Sequence, residues 1–322
     1  MTIKYIALSG GGPSSCISYS VMKELEKKGF WNLCNIKSFY GCSSGVFLSI
    51  LLSLGYNWDW MDDFMLKRPW CEVSEINSET IINYIDCAGI IDYQWTKKML
   101  SPLLEGKGLE SDVTMKDFYN FTQKKLYIYV TNVKSEFEKI VITHENYPDL
   151  PLYKALHMTM TIPGILVPIC DNDKIYVDGG FLNHFPIVDL VESINNKDIQ
   201  NEEVLGINLL SNYTIPTQNN RVRLPEIITN MIMTMINNYN DRRTLFKDTL
   251  KYTIRPKVTG FNTLSDWYDC MKFEEKRQKM MEVGSETATQ FLSEIEKRKE
   301  KEEDIPSQGK IAEKSTKQYL QG

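Results

Sequence analysis

The chain has 322 residues, of which 42% are hydrophobic and 25% are charged, a composition that is typical of a folded globular protein and argues against wholesale disorder. Lys and Arg total 37 against 42 Asp and Glu, and the net charge of −5 argues against a nucleic-acid-binding protein. The seven cysteines are scattered without a CxxC pair, and only three histidines occur. We therefore expect reduced thiols, and neither a disulfide framework nor a metal site.

The N-terminal segment and the lengths of the apolar runs bear on location. Residues 1–8 lack the basic segment and the long apolar stretch of a signal peptide. No apolar run approaches the roughly 18–20 residues of a membrane span. We therefore expect a soluble, intracellular, cytoplasmic protein that meets membranes only peripherally.

The N-terminal part of the chain alternates short apolar strands with helices. Strands are predicted over residues 4–8 and 36–40, and each is followed by a glycine turn and a helix, one ending at Gly29 and the other spanning residues 44–54. This order is that of a βαβα unit, which predicts a parallel sheet with right-handed crossovers.

The rest of the chain is expected to complete one α/β domain over residues 1–295. Residues 56–121 are rich in Trp, Met, Asp and Lys and predict a helical cap insertion, and residues 296–322 predict a charged, flexible tail. Further strands are predicted over residues 126–133, 139–143, 174–177, 204–210 and 252–255, and further helices over residues 152–160, 224–239 and 281–295.

A G-x-S-x-G string occupies the second glycine turn, with Gly41 and Gly45 at its ends and Ser43 at its centre. A nucleophile on a sharp strand-to-helix turn needs small neighbours because the backbone passes close to itself. The helix that begins near Ser44 directs backbone N–H groups toward developing negative charge. Ser43 is therefore a candidate nucleophile, and the alternative is a tight turn ahead of a helix N-cap.

Three consecutive glycines, Gly10, Gly11 and Gly12, follow the first strand. Their amides can form a nest for an anion, either the oxyanion of a hydrolase or the pyrophosphate of a dinucleotide. The dinucleotide fingerprint fails because Ser15 stands where its third glycine is required, and because the second strand ends at Tyr40 without an acidic residue. A P-loop is excluded because no GxxxxGK[ST] string occurs.

A third string, Asp178-Gly179-Gly180, follows the strand predicted over residues 174–177. An Asp at the end of a strand with two glycines behind it can approach another loop closely. By itself the string favours an ordinary Asp-Gly turn, which is a very common structure.

Together these strings resemble the patatin-like phospholipase family. Four segments match in the family's order: residues 8–12, residues 41–45, residues 155–163 with Pro168, and residues 177–180 with Asn183 and Pro186. The resemblance spans roughly residues 3–190 and implies a three-layer patatin-like α/β fold with a mainly parallel central sheet flanked by helices.

The resemblance implies a lipid acyl hydrolase of the phospholipase A type that uses a Ser–Asp dyad. Ser43 would attack the ester carbonyl and Asp178 would accept its proton. The amides of Gly10, Gly11 and Gly12 would hold the oxyanion, and water would then cleave the acyl-enzyme.

The same resemblance implies supporting roles for four further glycines: Gly41, Gly45, Gly179 and Gly180. The family needs no metal or other cofactor for the chemical step. The implied partner is a lipid or phospholipid substrate that is met by transient contact with a membrane surface, and no oligomeric state is implied.

The segment after Gly12 departs from the family pattern GGG-x-[RK]-G. Ser14 and Ser15 stand where a basic residue and a glycine are usual, and Pro13 has no backbone N–H to donate. We expect this departure to affect the preference for an anionic phosphate group near the oxyanion hole and the rate of ester hydrolysis.

Two alternative functions stay open at this point. A Ser-His-Asp esterase would use His184, which follows Asp178 by six residues, although the histidine of α/β-hydrolases normally lies well downstream of the acid. A catalytically weak or inactive lipid-binding protein on the same fold is favoured by the altered residues after the triple glycine. We otherwise expect His184 to be a loop residue at the rim of the site, and His144 and His157 to be surface or partly packed residues.

The helix predicted over residues 224–239 is rich in methionine, which suits irregular apolar surfaces. It suits either the edge of a bilayer or internal packing. Its polar face carries few cations, which favours internal packing.

Overall fold

A computed structural model of the chain describes residues 2–73, 84–171, 173–195, 201–211, 224–243, 251–258 and 263–303. Within them the strands are β1 Tyr5–Leu8, β2 Ser38–Cys42, β3 Lys125–Asn132, β4 Glu138–Ile142, β5 Ile169–Asp171, β6 Lys174–Asp178, β7 Val204–Ile207, β8 Leu210–Ser211, β9 Thr253–Ile254 and β10 Lys257–Val258.

The helices of these residues are α1 Ser15–Lys27, α2 Ser44–Ser53, α3 Trp58–Lys67, α4 Tyr84–Cys87, α5 Tyr93–Glu105, α6 Met115–Thr122, α7 Leu152–Met160, α8 Gly180–Asn183, α9 Ile187–Asn195, α10 Leu224–Arg243, α11 Leu264–Lys272 and α12 Glu274–Glu303. None of the helices in the described ranges is long and apolar enough to cross a membrane.

The central sheet has the strand order β5-β6-β3-β2-β1-β7-β9, with β4 paired to β3 as a branch. Five consecutive strands, from β3 to β9, run parallel. The strands β4 and β6 are antiparallel to β3, and β5 is antiparallel to β6. The predicted α/β class with a mainly parallel sheet is therefore confirmed, and the antiparallel strands are confined to one end of the sheet.

Residues of the central strands alternate between two apolar layers, as the twofold period of a strand requires. In β1, Ile6 and Leu8 belong to the main core cluster, whereas Ala7 between them belongs to a second cluster on the other face. The main cluster contains buried residues of α1, α2 and α7, and the second contains Ile187 and Leu190 of α9. Helices therefore cover both faces of the sheet and form three layers.

The described part of the segment predicted as a cap, residues 56–121, is mainly helical and contains α3 to α5 and most of α6. Its buried side chains, among them Phe64, Trp70 and Leu100, belong to the same hydrophobic cluster as those of α1 and α2. These helices are therefore continuous with the core of the domain, and their role as a cap stays a prediction.

The C-terminal helix α12 packs along α1. A side chain at Gly284 would meet the backbone carbonyl oxygen of Ile17 at 2.4 Å, so the two helices approach to backbone contact. The predicted helix 281–295 is shorter than the structure shows, because α12 runs from Glu274 to Glu303. Residues 296–303, assigned to a flexible tail, are its last turns, and the rest of that tail lies outside the described residues.

The bounds of most predicted strands differ from the structure by one or two residues, and the differences at β2 and β7 matter most. The second strand runs to Cys42 and includes Gly41, so the sharp turn is confined to Ser43. The strand predicted over residues 204–210 ends at Ile207 as β7, and Leu210 begins the separate short strand β8. Sequence reasoning also missed α11, which matters for the site below.

Candidate active site

The site lies where two strands, β2 and β6, end beside each other along one edge of β3. Residues 125–129 of β3 pair with β2 and its residues 130–132 pair with β6, while β4 occupies residues 128–132. A strand has only two edges, so β4 takes one and β2 and β6 share the other. Cys42, the last residue of β2, lies opposite Tyr129, and Asp178, the last residue of β6, lies opposite Val130. The carboxyl ends of β2 and β6 therefore meet head to head.

Ser43 lies at the turn between β2 and α2. Its backbone angles are φ 51° and ψ −129°, a strained conformation for a residue with a side chain. The turn is tight against β1: a side chain at Gly45 would meet the carbonyl oxygens of Leu8 and Ser9 at 2.5 and 2.6 Å. The predicted sharp strand-to-helix turn is thus present with Ser43 at its centre, and glycine is required at residue 45 by backbone contact.

The turn is held by a residue that sequence reasoning did not single out as functional, Thr159 of α7. The Ser43 amide donates a hydrogen bond to Thr159 Oγ1 at 2.9 Å, and the Thr159 hydroxyl donates to the Tyr129 carbonyl at 2.6 Å. Thr159 is fully buried. The sequence signals for it were a hydroxyl residue within the apolar segment 152–160 and its place in the family-matching segment 155–163.

Asp178 is buried, with 3% of its surface exposed. Its Oδ1 accepts hydrogen bonds from the Gly180 amide at 2.7 Å and from the Cys42 thiol at 3.5 Å. The Ser43 side chain lies beside this carboxylate and favours its ionised form. The structure therefore brings the two residues predicted as a dyad next to each other.

The surroundings of Asp178 make it a stronger base than an ordinary carboxylate. Burial raises its pKa from 3.8 to about 6, and the hydrogen bonds from Gly180, Ser43 and Cys42 oppose that rise. Burial and the neighbouring carboxylate hold the pKa of the Cys42 thiol well above its ordinary value. Cys42 is therefore a neutral donor to Asp178 at neutral pH.

The triple glycine lies beside the nucleophile. In the β1–β2 register Leu8 lies opposite Gly41, and a side chain at Gly10 would meet Ser43 Cβ at 3.0 Å. The Gly10 amide donates to the His184 carbonyl at 3.4 Å. Among the described residues, the Gly11 and Gly12 amides have no hydrogen-bond acceptor, so these two amides are free to bind an anion.

The residues after the triple glycine form a single 3-10 turn, Gly12–Ser14, that leads into α1. Ser14 is buried, and its hydroxyl has no hydrogen-bond partner within the described part of the chain. The position that usually carries a basic residue in the family is therefore filled here by a small, buried, neutral group. The aromatic ring of Trp267 in α11 lies 3.5 Å from the point where a Gly12 side chain would begin.

His184 lies in the loop after α8, as expected. Its ring atoms lie 3.1 and 3.3 Å from where side chains at Gly10 and Gly180 would begin, so the imidazole sits next to both glycine segments. Burial lowers its pKa to about 4, although a hydrogen bond with the Leu209 backbone favours protonation. The ring is therefore neutral at physiological pH.

The other two histidines lie away from the dyad. His157, expected at the surface or partly packed, is fully buried, and its Nε2 hydrogen-bonds to the Val167 carbonyl at 2.8 Å. That expectation was wrong because α7 carries its apolar neighbours into the core on every side. His144 is partly buried and stacks on Tyr119 with ring centroids 3.6 Å apart, as a partly packed residue.

A family model described as patatin-like phospholipase matches residues 6–191, more than half of the chain. The chain belongs to the patatin-like phospholipase family. The matched segment holds the triple glycine, Ser43, Thr159, Asp178 and His184. The helices α10, α11 and α12 lie outside it.

Two curated viral proteins are similar to this family member. "Probable lipid hydrolase 463L" of Invertebrate iridescent virus 6 is 27% identical over 196 residues, which cover 60% of this chain and 65% of that protein. "Uncharacterized protein R571" of Acanthamoeba polyphaga mimivirus is 24% identical over 188 residues, which cover 58% of this chain and 60% of that protein. The alignments therefore span less than two thirds of either relative.

Two solved structures resemble the chain more distantly. VipD from Legionella pneumophila has a TM-score of 0.49 at 15% identity, covering 91% of this chain and 67% of that one. A chain of the ExoU–SpcU complex from Pseudomonas aeruginosa has a TM-score of 0.45 at 17% identity, covering 91% and 51%.

Proposed function

We propose that this protein is a lipid acyl hydrolase of the phospholipase A type, a carboxylic ester hydrolase with a Ser43–Asp178 dyad. The observation that carries the proposal is that Ser43, in the strained turn after β2, lies beside the buried carboxylate of Asp178 at the end of β6. Membership of the patatin-like phospholipase family and similarity to a viral protein named as a probable lipid hydrolase support the substrate class.

In the acylation step, Ser43 Oγ attacks the ester carbonyl while Asp178 accepts the hydroxyl proton. The oxyanion of the tetrahedral intermediate is held by the Gly11 and Gly12 amides, beside the Gly10 segment that packs on Ser43 Cβ. Asp178 then gives the proton to the leaving alcohol oxygen as the C–O bond breaks. The product is an acyl group on Ser43.

Deacylation repeats these roles with water as the nucleophile. Asp178 accepts a proton from water, the hydroxide oxygen attacks the acyl carbonyl, and the proton returns to Ser43 Oγ as it leaves. The pKa of about 6 suits Asp178 to this work, because it is ionised at neutral pH and yet more basic than an ordinary carboxylate.

The contacts of Asp178 favour a dyad over a Ser-His-Asp triad. A triad requires the imidazole between the serine and the acid, whereas the groups that favour the ionised form of Asp178 are the Gly180 amide, the Ser43 side chain and the Cys42 thiol. His184, with a pKa of about 4, is also a much weaker base than an ordinary histidine. We assign His184 to the wall of the site, where it contacts the Gly10 and Gly180 segments.

The proposal is tested with a fluorophosphonate label and a micellar p-nitrophenyl ester. Wild-type protein should label on Ser43 and hydrolyse the ester, while Ser43→Ala and Asp178→Asn should each lose activity by about 10³-fold or more. His184→Ala should retain most of the activity. Ser53→Ala is the matched control, because Ser53 is a buried serine on the same helix α2 but far from the turn.

Two outcomes would contradict the proposal. An active Asp178→Asn variant together with an inactive His184→Ala variant would replace the dyad by a histidine base. Failure of the folded wild-type protein to label would favour a lipid-binding protein without catalysis. If the wild-type protein labels and is active, comparison of wild type with Ser43→Ala on mixed membrane lipids identifies the ester that is cleaved.

A further inference from the structure

The helix α10 has two apolar faces. One face is internal: Ile232 and Ile236 are 9% and 4% exposed and pack with Ile162, and Ile228 packs beside them. A second face, turned by about 100° around the helix, is external and carries three large apolar side chains at intervals of four residues. These are Ile227, Met231 and Met235, which are 38%, 59% and 51% exposed.

The internal face of α10 belongs to the site. Ile236 Cδ1 lies 3.4 Å from where a Gly180 side chain would begin, which places it next to the Asp178 loop. The same apolar cluster includes Trp267, whose ring lies beside Gly12 in the triple-glycine segment. One small cluster thus joins both loops of the site to α10.

The external face continues this apolar surface outward. Residues 227–236 contain no charged side chain, and besides the three apolar residues only Thr234 is exposed in that stretch. Phe137 is 54% exposed and packs edge-on against Phe181 of the same cluster, with ring centroids 6.2 Å apart. Exposed apolar side chains therefore flank the cluster on two sides.

Size and charge decide what the external face binds. The stripe from Ile227 to Met235 is about 12 Å long and offers on the order of 300 Å² of apolar surface, well below the roughly 800 Å² per partner of a stable protein interface. The stripe is uncharged and the whole chain has a net charge of −5, so electrostatic attraction to anionic lipids is not its means of binding. Shallow insertion into a neutral bilayer fits both observations.

We propose that the external face of α10, formed by Ile227, Met231 and Met235, docks the protein on a zwitterionic phospholipid bilayer. Because the internal face of the same helix contacts the site, docking places the Ser43 region against the lipid it cleaves. This inference rests on the proposed hydrolase function. It extends that function by naming the surface that meets the substrate.

The binding test uses Ser43→Ala protein, so that docking is read without turnover. Sucrose-loaded phosphatidylcholine vesicles are sedimented, and the bound fraction is measured for the parent and for Met231→Glu/Met235→Glu in that background. We expect the double variant to lose partitioning by about tenfold or more. Met231→Gln/Met235→Gln should lose it as well, because the loss follows from apolar contact and not from added charge.

The matched control is Phe121→Glu. Phe121 is 48% exposed and lies near the end of α6, four residues before the start of β3 and thus at the strand end away from the dyad. This variant should bind vesicles as the parent does. Thermal unfolding of each variant verifies that exposed substitutions leave the fold intact.

The activity test separates this inference from the proposed function. With Ser43 restored, the double variants should hydrolyse a soluble, monomeric p-nitrophenyl butyrate at the wild-type rate but lose vesicle hydrolysis by about tenfold or more. Absence of ester hydrolysis in wild type would overturn the hydrolase and leave the binding result intact.

Three results would overturn the docking proposal. The first is failure of the parent protein to bind vesicles, and the second is equal binding by the double variants. The third is a wild-type dimer that becomes monomeric in Met231→Glu/Met235→Glu on analytical ultracentrifugation, since the stripe would then pair two copies of the chain.

Discussion

The Ser43 amide donates a hydrogen bond to Thr159 Oγ1 at 2.9 Å. The same hydroxyl donates to the Tyr129 carbonyl, and a side chain at Gly179 would meet that carbonyl oxygen at 2.0 Å. The nucleophile turn, α7 and the turn after Asp178 therefore converge on one peptide group of β3. We infer that Thr159 is a positioning residue, because it connects the strained turn to the strand that also orders Asp178.

Replacing Thr159 by Val tests this connection. The substitution keeps the shape but leaves the Ser43 amide and the Tyr129 carbonyl without partners, which costs about 1–3 kcal/mol in the free energy of unfolding. We expect kcat for a soluble ester to fall about 10- to 100-fold with KM little changed, because the nucleophile loses its orientation. Thr159→Ser should recover most of kcat. A Val variant with wild-type kcat would show that the hydrogen bond to Thr159 is not needed to orient Ser43.

The pKa of Asp178 predicts the acid limb of the activity. Only the ionised carboxylate accepts the Ser43 proton, so kcat/KM should rise with pH through about 6. The Cys42 thiol donates to this carboxylate and lowers its pKa, so Cys42→Ala should move the limb to higher pH. The pH profile of hydrolysis of a non-ionising ester measures both. If the acid limb of Cys42→Ala lies at the same pH as that of wild type, the thiol does not influence the pKa of Asp178.

The same carboxylate should lower stability at neutral pH. Its pKa is about 6 in the folded protein and near 3.8 when unfolded, so its contribution is full below pH 3.8 and is lost as the pH rises through 6. Asp178→Asn should therefore raise the free energy of unfolding by up to about 3 kcal/mol at pH 8 and by little at pH 4. Urea denaturation at both pH values measures the difference. A less stable Asn variant at pH 8 would contradict it.

Gly45→Ala tests the contact between the nucleophile turn and β1. The new methyl group would lie within 2.6 Å of the Leu8 and Ser9 carbonyl oxygens, so the backbone must shift. We expect a loss of about 2–4 kcal/mol in unfolding free energy and loss of fluorophosphonate labelling. Gly108→Ala is the control, since nothing lies within 4 Å of its new methyl group and its cost is only the strain of φ 74°. Equal labelling of both variants would contradict the close approach.

Arg277 links three helices through buried carbonyls. Its guanidinium donates to the carbonyls of Leu66 in α3 and of Cys270 and Met271 in α11, and the residue is 5% exposed. Arg277→Met should cost about 2–4 kcal/mol, because several carbonyls lose their donors. Arg277→Lys should cost less but not recover the whole, since an ammonium lacks the planar fork. Urea denaturation of wild type and the two variants measures the order of their unfolding free energies. A Met variant as stable as wild type would contradict the stabilising role of Arg277.

The hydrogen bonds from Arg277 to α11 also predict an effect on the candidate active site, separate from their effect on stability. Trp267 of α11 packs beside Gly12, so loosening α11 should also disturb the triple-glycine segment. Under conditions where Arg277→Lys is fully folded, we expect a slower rate of fluorophosphonate labelling than in wild type. An unchanged labelling rate would show that α11 does not hold that segment in place.

The local features of the site could be read from the sequence because each depends on a few adjacent residues. A nucleophile turn requires small residues where the backbone touches itself, and the structure places Gly45 against Leu8 and Ser9 for that reason. Gly179 of the Asp-Gly-Gly string must also be small, because a side chain there would meet the Tyr129 carbonyl oxygen at 2.0 Å. The alternation of strands and helices likewise predicted the α/β class, since periodicity is a local property.

What the sequence did not determine depends on residues far apart in the chain. The head-to-head meeting of β2 and β6 along one edge of β3 requires two pairing registers, Cys42 with Tyr129 and Asp178 with Val130, and each joins strands that lie far apart in the chain. The hydrogen bond from Ser43 to Thr159 and the burial of His157 depend likewise on how α7 packs against the sheet. Periodicity alone also could not show that α10 is apolar on both its internal and its external face.

The scarcity of histidine and the three glycine strings were properties of the sequence by itself. They were sufficient to predict the family, and they predict Ser43 and Asp178 as a dyad. Which strands lie side by side, which hydroxyl holds the turn and which apolar face is left exposed were decided only by tertiary structure. The physical reason is that short strings specify backbone geometry, whereas long-range packing chooses which of the compatible surfaces meet.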